Sequence, residues 1–261
     1  MAMTLKNKWV LITGASSGFG AAAARAFGAA GARLLLGARR ADRLEQAAAA
    51  ARQAGAPEAL FHILDVSKTA SVASFVSWAG EKIGGPGKLH VLINNAGGAH
   101  GQETVAEGKD EDWEVTLQTN VLGILRMTRA TLPLLPGDDG ASIINIGSNA
   151  GHAAYEGAAA YCAAKAGELQ LTRVLRLELN GTGIRVSTVD PGLVKTDFSL
   201  VRFKGDAARA ERVYAGMNPL LAEDIAEILV WVASRPPHVN IDEILVKPVD
   251  QAAMHKIHRR S

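Results

Sequence analysis

The segment Trp9-Val10-Leu11-Ile12-Thr13 runs straight into Gly14-Ala15-Ser16-Ser17-Gly18-Phe19-Gly20, and an Ala-rich stretch of helical period follows. A short apolar strand, a glycine-rich turn and a helix in that order are the opening of a βαβ unit. Such units build a parallel sheet covered by helices. The same alternation recurs along the chain. Strands are expected at Trp9 to Thr13, Arg33 to Ala38, Leu60 to Asp65, Val91 to Asn94, Ser142 to Ile146, Arg185 to Asp190 and Glu243 to Val246. Being apolar nearly throughout, they read as strands covered on both faces. Helices are expected at Gly18 to Ala30, Arg43 to Ala54, Ser71 to Ile83, Glu111 to Leu135, Ala158 to Leu179 and Ala222 to Ser234.

This pattern reads as an α/β protein with a single-domain Rossmann-type, doubly wound parallel sheet spanning residues 1–261. The runs Gly84-Gly85-Pro86-Gly87 and Pro136-Gly137-Asp138-Asp139-Gly140 are turns by composition, and neither resembles an interdomain linker. The stretch 192–221 is long, polar and without clear period. It is expected to form a lid over a substrate.

Composition excludes several classes. A net charge of +2 gives no broad field for nucleic acid, and no basic stripe carries interleaved aromatics. The basic end, His255 to Arg260, reads as a solvated tail. Apolar runs stop well short of the ~20 residues a membrane span needs, and residues 1–8 lack the apolar stretch of a signal peptide. The lone Cys162 cannot form an internal disulfide and suits a reducing, cytoplasmic setting. No His/Cys/Asp cluster has ligand spacing, so no metal is expected.

The glycine-rich turn predicts a dinucleotide. Gly14, Gly18 and Gly20 let the backbone approach a pyrophosphate, and the free N–H groups around Ser16, Ser17 and Phe19 at the helix start favour its charge. At the end of the second strand, an acidic residue would hold the ribose of NAD. Here stands Ala38, followed by Arg39 and Arg40, whose guanidinium groups suit the 2′-phosphate of NADP. The competing reading makes both arginines solvated residues ahead of a helix. Asp65 with Val66 is placed at the adenine, or Asp65 caps its strand. Asn94, Ala96 and Gly97 should cross the cofactor at the sheet's carboxyl edge.

Tyr161 and Lys165 are four apart on a helix and therefore share a face. With Asn120 and Ser148 they complete an ordered set of motifs. Thr-Gly-x-x-x-Gly-x-Gly stands at Thr13, Asn-Asn-Ala-Gly at Asn94, a serine at 148, Tyr-x-x-x-Lys at Tyr161, and Pro191-Gly192 follows. Across nearly the whole chain these spacings resemble the short-chain dehydrogenase/reductase family. The resemblance implies a nicotinamide cofactor, a homotetramer or homodimer, and catalytic roles for Asn120, Ser148, Tyr161 and Lys165. Tyr161 would donate the proton to a carbonyl oxygen, Lys165 would lower the tyrosine pKa and hold the ribose, and Ser148 would bind the substrate oxygen. Asn120 would hold a water in contact with Lys165. Pro191, Gly192, Val194 and Thr196 would pass the nicotinamide carboxamide.

Within the family, Val201 to Asp206, Asn218 to Ile225 and His238 to Ile241 are similar to the NADP-dependent 3-hydroxy acid dehydrogenases, which include serine and L-allo-threonine dehydrogenases and semialdehyde reductases. That similarity implies a small anionic substrate, with Tyr155, Arg202 or Lys204 on the pocket wall. Arg202 and Lys204 read equally as surface charges. His100 and His152 flank the site and read as structural hydrogen-bonders. The chain departs from the subgroup at 98–100 and 149–158. His152 to Ala154 and Glu156 replace a Trp-Pro-containing stretch, and Glu156 would repel an anion if turned inward. The alternative function is therefore reduction of a bulkier neutral ketone. A catalytically silent dinucleotide sensor is expected to lose the tyrosine or lysine, and both are present.

Overall fold

The computed structural model describes residues 3–137 and 140–260. Asp138 and Asp139 of the second composition-based turn lie outside the described residues. Seven parallel strands form one sheet: β1 (Trp9–Thr13), β2 (Arg33–Ala38), β3 (Ala59–Ile63), β4 (Leu89–Asn94), β5 (Ser142–Ile146), β6 (Arg185–Pro191) and β7 (Glu243–Val246). Their order is β3-β2-β1-β4-β5-β6-β7. The chain winds outward from β1 in one direction, then returns to β4 on its other side. At that reversal the connections leave toward opposite faces, which opens a crevice at the carboxyl ends of β1 and β4.

Period-two alternation sorts the strand residues into two cores. Val10, Ile12, Leu34, Leu36 and Ile93 face α1 (Gly18–Ala29), α2 (Ala41–Ala54) and α9 (Ala222–Ala233), where Phe27, Leu44 and Leu229 meet them. Trp9, Leu11, Leu35, Leu92 and Ile143 point the other way, against Phe75 and Met127 from α3 (Thr69–Ile83) and α5 (Gly123–Thr131). The longest helix, α6 (Ala159–Glu178), buries Ala164, Lys165, Glu168, Leu169, Thr172 and Leu175 as one inward stripe.

Several expectations change. The third strand starts one residue earlier than expected and stops at Ile63, so Asp65 lies beyond its end. The edge strands β3 and β7 are only partly covered, with Ile63 and Leu245 both 45% exposed, because an edge has a neighbour on one side alone. The long helix expected over 111–135 is not continuous. It runs as α4 (Asp110–Leu117), one wide turn with i→i+5 bonding over Gln118–Leu122, α5, and a 3₁₀ turn at Leu132–Leu134. The stretch 192–221 contains α7 (Phe198–Arg202) and α8 (Ala207–Arg212), the latter started by Asp206, whose carboxylate accepts from the Arg209 N–H at 2.9 Å.

The basic end is not a free tail. Arg260 makes two hydrogen bonds to Asp250, at 2.7 and 2.9 Å, and its N–H donates to the Gly216 carbonyl at 2.6 Å. Arg259 donates to the carbonyls of Ala215 and Val213, which ties the C-terminus to the segment after α8. No helix among the described residues is long and apolar enough to cross a membrane.

Candidate active site

A cleft of about 1250 Å³ occupies the crevice at the strand ends. On its floor the β1–α1 turn is locked to β4. Thr13 Oγ1 accepts from the N–H groups of Asn95 and Ala96, both at 2.9 Å, and Asn95 Nδ2 donates back to the Thr13 carbonyl at 2.9 Å. Gly14 adopts φ +65°, and a Cβ there would stand 2.9 Å from the Ala96 Cα. The turn can pass only without a side chain. Ser16, Ser17, Gly18 and Phe19 follow along the cleft wall, beside the start of α1. Gly20 does not reach the cleft. A Cβ on it would sit 2.4 Å from the Gly14 carbonyl oxygen, so its role is to let α1 approach the turn.

Arg39 and Arg40 both stand at the rim, at the end of β2. Arg40 Nη2 donates to Ser16 Oγ at 3.1 Å and Ser17 Oγ at 2.9 Å, so it also braces the turn. Asp65 and Val66 line the neighbouring wall. The Asp65 carboxylate accepts from the N–H and hydroxyl of Ser67 at 3.0 and 2.7 Å. Burial pulls its pKa upward, yet these bonds and the charges of Arg39 and Lys68 leave it below the ordinary value. Ala96 and Gly97 line the cleft, but Asn94 does not. Its amide is buried and donates to Asn145 and Thr128 at 2.9 and 3.1 Å, since alternation along β4 turns it into the core. Pro191, Gly192, Val194 and Thr196 form the far wall.

Ser148 and Tyr161 both line the cleft, near enough for the serine hydroxyl to pull the tyrosine pKa down. Ser148 is presented at the end of β5, where its Oγ also accepts from the Ala150 N–H at 3.0 Å and starts a 3₁₀ turn at Asn149–Gly151. Lys165 extends from the next turn of α6 after Tyr161, and its Nζ donates to the Ile146 carbonyl at 2.6 Å. Asn120 sits buried in the wide turn between α4 and α5. Its amide bonds Gly98 in both directions, at 2.8 and 3.2 Å, and donates to the Thr116 carbonyl at 2.7 Å. Wide turns of this kind concentrate at functional sites because they rotate a buried side chain out of helical register.

The electrostatics differ from expectation in one respect. Burial pushes the Tyr161 phenol up to about 12, against the Ser148 hydrogen bond and the charge of Arg202, which pull it down. The cation facing the tyrosine ring is Arg202, 5.8 Å from its centroid. The Lys165 ammonium is instead held by a carbonyl, and burial lowers its own pKa against the charges of Glu168 and Asp190.

The two cations expected near a substrate part company. Arg202 is buried, only 6% exposed, and lines the cleft. It donates to the Tyr155 hydroxyl at 2.6 Å, the Gly101 carbonyl at 3.0 Å and the Gly157 carbonyl at 3.4 Å. All of these acceptors are neutral, and among the described residues no carboxylate pairs with it. Lys204 lies outside the cleft, paired with Asp112 at 2.7 Å. Glu156 is exposed and does not line the cleft, whereas His100 does, its pKa lowered by burial. His152 is turned away, 2.7 Å from Asp190.

Sequence reasoning missed Tyr214, Met254, Ile257 and Arg259, all of which line the cleft. Tyr214 is set by its hydroxyl, which bonds Ser199 and the Val194 carbonyl, both at 2.9 Å. The other three come from the folded-back C-terminus. No local periodicity marks them, because an isolated Gln251–Ile257 bridge puts them there.

A family model described as short chain dehydrogenase matches residues 8–206. The chain is 41% identical over 244 residues to sulfoacetaldehyde reductase 2 of Chromohalobacter salexigens, covering 93% of this chain and 95% of that protein. It is 38% identical over 257 residues to the NADP-dependent 3-hydroxy acid dehydrogenase of Schizosaccharomyces pombe, covering 98% of each. Among solved structures, the closed form of serine dehydrogenase complexed with NADP+ is similar with a TM-score of 0.86 at 37% identity, covering 97% of this chain and 100% of that one.

Proposed function

This chain belongs to the short-chain dehydrogenase/reductase family, and from that premise we propose that it is an NADP-dependent oxidoreductase of short 3-hydroxy acids or the matching semialdehydes. The observation that carries the acid half of this reading is Arg202. A buried guanidinium bonded only to neutral oxygens is an uncompensated charge, and an incoming carboxylate or sulfonate would pair with it. It stands against the rings of Tyr155 and Tyr161, so an anion paired with it would lie beside Tyr161.

The residues present fit the cofactor. Gly14 and the start of α1 admit a pyrophosphate, and Arg39 with Arg40 offers two exposed guanidinium groups where a ribose-binding acid is missing. Bound there, the nicotinamide supplies or accepts hydride. The protein supplies the proton and the orientation. In reduction Tyr161, neutral because its pKa lies far above 7, donates its phenolic proton to the substrate oxygen. Ser148 hydrogen-bonds that oxygen as negative charge develops on it. Lys165, which lines the cleft, would hold the ribose of the bound nucleotide and offset the phenolate left on Tyr161. Asn120 fixes the Gly97–Gly98 loop over the cofactor. The segment 192–221, which carries Arg202 and Tyr214, acts as the lid of this one-domain enzyme.

We read the protein as a cytoplasmic homo-oligomer. α5 and α6 expose Leu125, Val174 and Leu177, an apolar set suited to helix pairing between copies, and Trp231, Leu245 and Val249 suit a second contact.

Initial rates with NADPH and NADH on semialdehyde acids and on their neutral methyl esters test the function. Turnover is expected with NADPH and the acids, and Tyr161→Phe should lower kcat by about 10²-fold or more. Equal rates on the esters would favour the neutral-ketone alternative and remove the anion site.

A further inference from the structure

The strand end that carries Ser148 is backed by a buried polar cluster of which the chemistry above uses Lys165 alone. α6 contributes Lys165, Glu168 and Thr172 to it, and β6 contributes Thr188 and Asp190. Glu168 is 0% exposed and Asp190 1%. Thr188 Oγ1 lies 2.6 Å from Asp190 Oδ1 and 3.5 Å from Glu168 Oε1, so its single proton serves Asp190. Thr172 Oγ1 stands 3.2 Å from Glu168 Oε1 and 2.9 Å from the Glu168 carbonyl.

Gly147 shows how closely these oxygens converge. A Cβ there would meet Asp190 Oδ1 at 1.8 Å and both Glu168 Oε2 and Thr188 Oγ1 at 2.8 Å. The two carboxyl groups therefore face each other across less than about 5 Å. Gly147 lies between Ile146, whose carbonyl holds Lys165, and Ser148.

Two ionised carboxylates this close and this deeply buried repel strongly, and one of them retains a proton. Donor count assigns the charge. Asp190 receives Thr188 on one oxygen, and its other oxygen faces His152 Nε2 at 2.7 Å, where the tautomer with its proton on Nε2 would donate. Among the described residues no donor reaches Glu168 Oε2. A proton on Oε2 would make that atom a donor facing Asp190. The His152 side chain is 24% exposed and links the pair to solvent.

We propose that Glu168 and Asp190 form a one-proton carboxyl pair, connected to solvent through His152, that sets the charge behind Lys165 and so governs how firmly Tyr161 holds its proton. Glu168 touches neither substrate nor cofactor, and acts as a positioning residue. Only an O–H bond breaks and re-forms: the proton passes between the pair and solvent.

Burial pushes the Glu168 carboxyl up to about 7, with Asp190 acting in the same direction and Lys165, Thr172 and Thr188 opposing. The other charges around the cluster lie outside it. Arg202 faces Tyr161 from the cleft side, and Arg173 is bound to Glu243 at the surface. The sign follows from the charge. As pH rises through neutrality Glu168 ionises, and its negative charge is one of the causes that hold the Tyr161 pKa up. Reduction, for which Tyr161 is already the neutral phenol, is little changed. Oxidation, which needs the phenolate, is held back.

The kinetic consequence rests on the proposed function, but the pair itself can be read without turnover. By pH-difference infrared spectroscopy, the full-length protein should show a protonated carboxyl band that titrates near neutral pH and shifts in D₂O. The band should vanish in Glu168→Gln; its absence from the wild type, or its survival in the variant, would overturn the pair. In the pH profile of kcat for oxidation, Glu168→Gln should lose the near-neutral ionisation and lower the apparent tyrosine pKa by roughly half a unit or more, with KM unchanged. A profile of unaltered shape counts against the proposal. Should that variant not fold, His152→Leu removes a donor from Asp190 and is expected to raise the midpoint of the band; an unmoved midpoint refutes the pair. A titrating band without turnover would sink the functional reading alone.

Discussion

Arg202 and Lys204 are two residues apart in sequence and opposite in fate, which shows how little a lone basic residue discloses. Lys204 is half exposed and paired with Asp112, so its charge is already balanced at the surface. Arg202 sits on the inner side of α7, and its guanidinium is desolvated against Tyr155, Gly101 and Gly157. Arg202→Lys should therefore raise KM for an acid substrate by about 10- to 100-fold, the effect of one charge-assisted bond, while leaving the methyl ester nearly unaffected. The comparison is made from steady-state KM on both substrates, and equal losses on both would mean that only the wall was disturbed. Tyr161 and Lys165 were legible because the i, i+4 spacing of a helix fixes their shared face. The state of their charges was not, since burial, a carbonyl and a distant arginine set it.

At the scale of elements, the β1–α1 turn was readable because glycines at those spacings answer to a backbone constraint that any sequence must meet. What the spacing did not disclose is the division of labour between them. Gly14 lets the chain turn and pass Ala96, whereas Gly20 lets a helix come close. Gly20→Ala would place a methyl 2.4 Å from the Gly14 carbonyl oxygen and 2.6 Å from Asn95 Nδ2. The variant should lose about 1–3 kcal/mol in urea unfolding and weaken NADPH binding, because the turn itself must shift. Unchanged stability would mean that α1 can slide without cost. The interrupted helix at 110–134 escaped sequence reading for a related reason. Glu111 to Leu135 keeps helical composition throughout, and the wide turn at Gln118–Leu122 is visible only from where Asn120 binds, behind the cleft wall at Gly98.

For the whole molecule, the exposed apolar residues of α5 and α6 bear on assembly. Leu177 is 78% exposed in one copy, an unusual setting for leucine beside Val174 on the same face. Leu177→Glu together with Val174→Glu should shift the mass measured by light scattering toward the monomer, and an unchanged mass would place the interface elsewhere. The chain's alternation of strand and helix, its glycine-rich turn and its ordered Asn120, Ser148, Tyr161 and Lys165 were determined by sequence alone, because periodicity and backbone constraint act between neighbours. Tertiary structure decided everything that depends on which distant segments meet. It turned Asn94 inward to Asn145, folded the basic C-terminus back onto Asp250 and Gly216, and placed Arg202 in the cleft. It also brought Glu168 and Asp190 together beside Gly147. Desolvation and charge pairing belong to those meetings, and no local stretch of the chain contains them.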